Sequence, residues 1–268
     1  MSKARISWIG GPVLRAKMEA PFRVYEALSV GRGGLLGEVI QLRGNELVAQ
    51  VYEDTTGLEP GDEVRGSGGP LAVSLGPGLL GGIFDGLLRP LTGTAGFHVE
   101  PGIAARPPGR FRFAASVEAG AELEPGYVLG EIGAERKQRV LVPPGIRGRV
   151  LRISGEGEYA EDEVIAEVEQ PDGESCPVAM SHTWPVRRPR PAAARLGGNA
   201  PMITGQRILD TLFPVARGGR AALPGGFGTG KTVLQEALAK WCDADVIVYV
   251  GCGERGNEMA EVLDEFPK

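Results

Sequence analysis

Gly225-Gly226-Phe227-Gly228-Thr229-Gly230-Lys231-Thr232 fits the pattern G-x-x-x-x-G-K-[ST] at every position. Glycines let successive backbone N–H groups turn toward one anion without Cβ clashes. A helix that begins at the lysine aims its positive dipole end at the same point. Lys231 then supplies a mobile charge for the β and γ phosphates of a nucleotide, and the Thr232 hydroxyl is placed to ligate Mg²⁺. The flanks suit this reading. Ala221-Ala222-Leu223 reads as a short apolar strand. Lys231 to Trp241 reads as a helix that gathers Val233, Leu234, Ala237, Leu238 and Trp241 on one face. Strand, glycine loop and helix together predict a P-loop α/β nucleotide-binding domain.

Working outward, Asp245-Val246-Ile247-Val248-Tyr249-Val250 is a continuous apolar run, expected as a strand buried on both faces of a parallel sheet. Gly251 to Glu258 leaves the carboxyl end of that strand, the edge where open parallel sheets bind ligands. Glu254 is therefore the candidate carboxylate for orienting or deprotonating a water beside the terminal phosphate. Arg255 is the candidate contact to phosphate or to a neighbouring subunit. Glu258, one helical turn on, reads as structural, and Asn257 to Phe266 reads as a further helix. On the upstream side, Thr204 to Phe213 reads as a helix with Thr204 as N-cap.

The rest of the chain reads as β. Gly34 to Arg43 and Glu46 to Tyr52 flank Gly44-Asn45, a two-residue hairpin signal with glycine first. Gly 42 and Pro 21 in 268 residues are about twice the usual share, which predicts many tight turns between short strands. These signals divide the chain into a β-barrel over 1–70, a connector with one short helical turn over 71–105, a β-rich insert over 106–185 and a nucleotide-binding part over 186–268.

Other features exclude whole classes of function. A net charge of -5 argues against a general nucleic-acid binder. Arg187, Arg188, Arg190 and Arg195 lack interleaved aromatics and read as a linker or interface. Cys176, Cys242 and Cys252 are sparse and unpaired, as in a reducing compartment. His98 and His182 have no cysteine at ligand spacing, so no metal centre of that kind is expected. Trp8, Trp184 and Trp241 read as core. Lys137 lacks the flanking signature of a biotinyl or lipoyl carrier. No run reaches the roughly 18 apolar residues of a membrane span, and Met1 to Gly10 is not a signal peptide. A cytoplasmic protein that meets a membrane only through partners is expected.

The residues go beyond a generic P-loop. Gly37-Glu38-Val39-Ile40, Val51 to Leu58, Leu75-Gly76-Pro77-Gly78-Leu79-Leu80, Phe84-Asp85-Gly86 with Arg89-Pro90-Leu91, His182-Thr183-Trp184-Pro185-Val186-Arg187 and Tyr249 to Glu258 resemble the catalytic A (alpha) subunit of the V/A-type rotary ATP synthases and ATPases, N-terminal part. The resemblance implies ATP or ADP with Mg²⁺ as bound groups, with Lys231 on the phosphates, Thr232 on the metal, Glu254 activating water and Arg255 beside it. It implies B subunits in an alternating A3B3 ring, a central shaft, peripheral stalk subunits, and coupling to proton or sodium movement through a membrane sector. No nucleic-acid partner is implied. The insert marks the A type and is absent from close relatives such as secretion ATPases and ring-shaped RNA helicases. Thr229 stands where eukaryotic members carry a cysteine, which puts redox control there in doubt. The resemblance also implies further strands, adenine-pocket aromatics and a helical domain after Lys268. These 268 residues are therefore expected to be part of a longer chain, with negligible ATP turnover alone. The alternatives are a non-catalytic assembly module and a related hexameric ATPase.

Overall fold

The computed structural model describes residues 2–91, 102, 107–133, 137–192, 194, 197–226, 228–253 and 256. It divides into two compact units, Met1–Pro191 and Ala192–Lys268.

The first unit opens with β1 (Lys3–Gly10), β2 (Val13–Met18), β3 (Glu26–Val30), β4 (Leu35–Arg43), β5 (Glu46–Val51) and β6 (Glu63–Pro70). They close into a barrel in the order β1-β2-β5-β4-β3-β6. Closure pairs β6 with β1 and leaves no open edge in the ring. Alternate side chains turn inward: Ala4, Ile6, Leu14, Ala16, Leu28, Val30, Leu35, Val39, Leu47, Ala49, Val51 and Val64 form one core. The expected hairpin is present. Arg43 pairs with Glu46, and Gly44 takes φ 57°, as the first position of a II′ turn requires.

β4 departs from simple alternation. Leu35 and Val39 face the core, yet Leu36 and Glu38 between them are also buried, at 4% and 0% exposure. Their face of the strand is covered by later segments. Glu53 accepts the Leu36 N–H through Oε1 (2.8 Å), and its Oε2 receives Arg89 Nη1 at 2.6 Å. Arg89 also donates from Nε to Asp85 Oδ2 at 2.6 Å. Burial works against ionisation of Asp85, but bonds from the Arg89 backbone and guanidinium and the Leu87 backbone hold its carboxyl below the usual value. This cluster ties the segment after the barrel onto β4.

That segment holds β7 (Ala72–Leu75) and, among the described residues, a single 3-10 turn, Pro77–Leu79. The Thr92–Gly96 loop expected to end it lies outside the described residues. The insert follows: β8 (Arg110–Ala115), β9 (Glu122–Leu123), β10 (Val128–Ile132), β11 (Gln138–Leu141), β12 (Gly148–Ile153), β13 (Gly157–Ala160), β14 (Val164–Glu169) and β15 (Ser175–Ala179). Its sheets run β11-β10-β8-β13 and β15-β14-β12-β9. They enclose one core, with Phe113, Leu129, Ile132 and Val140 from the first and Leu123, Val150, Ile165, Val168 and Val178 from the second. The chain leaves by β16 (His182–Pro185), which pairs with β7, Ala72 opposite Pro185 and Leu75 opposite His182. The insert thus hangs on two adjacent strands. Glu161, 2% exposed, accepts the N–H groups of Gly78 (3.0 Å) and Gly109 (3.1 Å) and fixes the 3-10 turn to the insert.

The second unit contains β17 (Pro201–Met202), α1 (Arg207–Leu212), β18 (Val215–Ala216) and α2 (Lys231–Trp241), with β17 paired to β18. The helix over Lys231 to Trp241 is as expected. The strands expected at 221–223 and 245–250 are not formed. A parallel strand takes its hydrogen bonds from neighbours on either side, and no neighbour is available among the described residues. Val248 and Val250 are accordingly 80% and 78% exposed rather than buried on both faces. Trp8 and Trp241 also differ from expectation, being exposed, while Trp184 is buried. The helix expected from Thr204 starts at Arg207 with Gln206 as cap. Thr204 instead donates to Asp210 Oδ1 (2.7 Å) and accepts the Gln206 N–H (3.2 Å).

Gly148 offers a test of the insert. Its φ is +131°, and a Cβ there would lie 2.0 Å from the Glu169 carbonyl oxygen across β12–β14. Gly148→Ala is expected to destabilise the insert by more than about 1 kcal/mol. Calorimetry should show its transition lowered by at least about 4 °C, with amide exchange in the barrel unchanged.

Candidate phosphate-binding site

The glycine loop is shaped by two left-handed residues. Gly228 has φ 74° and Gly230 has φ 78°. Gly230 is the N-cap of α2 and accepts the Leu234 N–H at 3.0 Å. A non-glycine residue rarely adopts this backbone, so the reversal that brings the chain into the helix depends on glycine. Lys231, Thr232 and Val233 then occupy the first turn of α2, where backbone N–H groups have no intrahelical acceptor. No acidic side chain stands in that turn to offset the dipole. At eleven residues the helix is long enough for its end to carry that field.

Side chains brace the loop from within. Thr229 donates its hydroxyl to the Gly226 carbonyl at 2.8 Å. A Cβ on Gly225 would lie 2.6 Å from the same hydroxyl oxygen, so a side chain there would displace the Thr229 hydroxyl. Cβ atoms on Gly226, Gly228 and Gly230 would meet nothing within 4 Å, so that side of the loop is open. Lys231 reaches back across the loop and donates from Nζ to the carbonyls of Gly225 and Gly226. Its ammonium is thereby held over the loop by neutral acceptors that a charged phosphate oxygen outcompetes.

Of the candidate residues, the structure places Gly225, Gly226, Gly228, Thr229, Gly230, Lys231 and Thr232 together at one helix end. Phe227, Glu254 and Arg255 lie outside the described residues, as do Glu258, the helix expected over 257–266, His98 and Arg195. Among the described residues no group of three or more His, Cys, Asp or Glu could hold a metal. A magnesium ion here would take most of its shell from phosphate oxygens and water, with the half-buried Thr232 as the protein ligand.

The linker arginines have specific partners in the first unit. Arg188 and Arg190 lie over the Trp184 ring, 5.1 and 4.6 Å from its centroid. Trp184 Nε1 donates to the Arg188 carbonyl at 2.7 Å. Arg190 Nη1 lies 2.6 Å from His182 Nε2. Burial, and then the Arg190 charge, push the His182 pKa down, so the ring is neutral and accepts. Arg187 makes a bidentate contact with Glu38, donating from Nε at 2.9 Å and from Nη2. The Glu38 and Arg187 segments both stand out in the sequence, but nothing there pairs them, because 149 residues separate the two. A cavity of about 500 Å³ in this unit is lined by Tyr52, Glu53, Asp54, Asp85 and Arg89. Its carboxylates are already taken by Arg89, Thr56 or backbone N–H groups.

Comparison with known proteins gives three family-model matches in chain order. The ATP synthase alpha/beta family beta-barrel domain matches residues 6–68. The ATPsynthase alpha/beta subunit barrel-sandwich domain matches 107–187. The ATP synthase alpha/beta family nucleotide-binding domain matches 205–268. The chain is 48% identical over 274 residues to the A subunit of the A-type ATP synthase of Methanopyrus kandleri, covering 99% of this chain and 46% of the relative. It is 46% identical over 272 residues to that of Thermococcus sibiricus, at 98% and 46% coverage. With the V-type ATP synthase alpha chain of Halothermothrix orenii it shares 45% over 274 residues, at 99% and 46%. The chain spans about half the length of the curated relatives it matches.

The left-handed cap at Gly230 tolerates a side chain poorly. Gly230→Ala is expected to cost about 1–2 kcal/mol of loop geometry. Titration with a fluorescent ADP analogue should show affinity lowered about 10-fold, with the far-UV signal of the barrel and insert unchanged.

Proposed function

We propose that this chain, which belongs to the ATP synthase alpha/beta family, contributes the ATP-binding wall of the catalytic A subunit of a V/A-type rotary ATP synthase or ATPase. The observation that carries the proposal is the Gly225–Thr232 loop capping α2 through a left-handed Gly230, with Lys231 hooked over the loop. In this reading Lys231 exchanges its carbonyl partners for the β and γ phosphates of ATP or ADP. The free N–H groups of the first helical turn cradle the same phosphates. Thr229 keeps the loop in the shape that presents them. Bound Mg²⁺ would neutralise phosphate charge, with the Thr232 hydroxyl as this chain's ligand to it. Glu254 is the proposed carboxylate that holds and deprotonates the attacking water, and Arg255 the proposed contact to phosphate or to the adjacent subunit.

The proposed division is a barrel over 1–70, a connector over 71–105, an insert over 106–185 and a nucleotide-binding part from 186 onward. In the proposed assembly the A subunits alternate with B subunits in an A3B3 ring around a central shaft, braced by peripheral stalk subunits. Hydrolysis or synthesis is coupled to proton or sodium movement. The proposed location is the cytoplasmic face of a membrane, reached only through the ion-translocating sector. No helix among the described residues is long and apolar enough to cross a membrane itself.

A second reading, a non-catalytic assembly module, is favoured by one observation. In the second unit Thr204 is the one side chain buried among the described residues, while Ile208, Leu212, Phe213, Val233 and Trp241 are each about two-thirds exposed. Nucleotide binding and turnover separate the two readings. The 268-residue chain should bind a fluorescent ATP analogue, and Lys231→Ala should weaken binding at least about 10-fold. Its steady-state turnover should not exceed that of the Lys231→Ala control. Equal binding by wild type and variant would leave only the assembly reading, and hydrolysis stimulated by single-stranded RNA would point to a ring helicase instead.

A further inference from the structure

Glu38 is the most anomalous charge in the first unit. It is 0% exposed, although it lies on the face of β4 that points away from the barrel core. Its neighbours across the sheet, Ala27 on β3 and Gln50 on β5, are uncharged. Among the described residues, the charged or titratable groups that face it are Arg187 and Tyr52. Tyr52 donates its hydroxyl to Glu38 Oε2 at 2.8 Å. Arg187 reaches in from the surface, its side chain still 56% exposed, and bonds both carboxylate oxygens.

The surroundings of Arg187 are built to hold it there. Its guanidinium lies 5.1 Å from the centroid of the Tyr25 ring. Tyr25 is one of two non-glycine residues with positive φ among those described, at 66°. That strained backbone is fixed by the Tyr25 N–H donating to the Val39 carbonyl at 2.8 Å. The residue before Arg187, Val186, donates its N–H to the Leu71 carbonyl at 3.0 Å, closing the end of the β7–β16 pair. Arg187 therefore sits where the chain returns from the insert, and Glu38 where the barrel receives it.

We propose that Glu38 and Arg187 form a charge-matched lock that seats the returning strand β16 on the barrel, so that barrel and insert move as one body. A carboxylate covered by that segment is tolerated only when its charge is matched by a cation. Without Arg187, the segment either leaves Glu38 covered and unmatched or lifts away to let water reach it. The lock is independent of nucleotide and of the function proposed above.

The test is hydrogen exchange on the full 268-residue chain, followed at β7 and β16, with β2 and β5 as the internal control. Arg187→Met, which keeps the stem over Tyr25 but removes the charge, should speed exchange of the β7 and β16 amides about 10- to 100-fold at neutral pH. The control strands should not change. Adding Glu38→Gln to that variant should restore most of the protection, because no unmatched charge then remains. The pH dependence should also reverse in sign. In the wild type, bonds from Arg187 hold the Glu38 carboxyl below its usual value despite burial. The lock is then fully present above the ordinary carboxylate range and is lost as pH falls through that lowered value. In Arg187→Met the unmatched carboxyl is raised, so protection improves from about pH 8 to about pH 5 as Glu38 takes up a proton. Unchanged exchange in Arg187→Met would overturn the proposal. So would a loss that is equal at both pH values and not relieved by Glu38→Gln, since that would assign Arg187 a packing role alone.

Discussion

A carboxylate with little access to water must be met by donors, and the first unit is organised around that requirement. Glu38 has Arg187 and Tyr52. Glu53 has Arg89 and the N–H groups of Leu36 and Gly102. Glu161 has the N–H groups of Gly78 and Gly109. Glu26, 3% exposed, has those of Arg23 and Gly68. In each case the carboxylate stands on or beside a regular strand and its donors come largely from irregular segments. Two oxygens with four lone-pair sites suit this role, because one side chain can satisfy several backbone groups that no ladder reaches. The barrel and the sandwich supply hydrophobic cores, and the buried acids fix the chain between them.

These contacts also account for two of the glycines outside the P-loop. A Cβ at Gly66 would fall 2.2 Å from Glu26 Oε1, and one at Gly76 would fall 2.7 Å from Glu161 Oε2. The carboxylates need room beside the backbone they bind.

Much of this is legible in the sequence because it is local. The Gly44-Asn45 turn and the helix from Lys231 to Trp241 each depend on neighbours a few residues away. The P-loop is legible for the same reason, since its geometry is written in its own glycines. The segments at 221–223 and 245–250 are apolar and β-prone, but strand formation needs a partner, and propensity does not supply one. Thr204 has the chemistry of a cap, and it does bond the N–H of Gln206, but Asp210 draws its hydroxyl away and the helix starts later. The Glu38–Arg187 pair is illegible, because nothing near either residue encodes a partner 149 positions away.

The paired strands β7 and β16 place the two ends of the insert side by side, with Ala72 directly opposite Pro185. Chain that leaves the barrel at one strand is delivered back beside it, whatever lies between. An insert mounted in this way is a cassette. Such a joint confines the fold of the insert to one stretch of the chain.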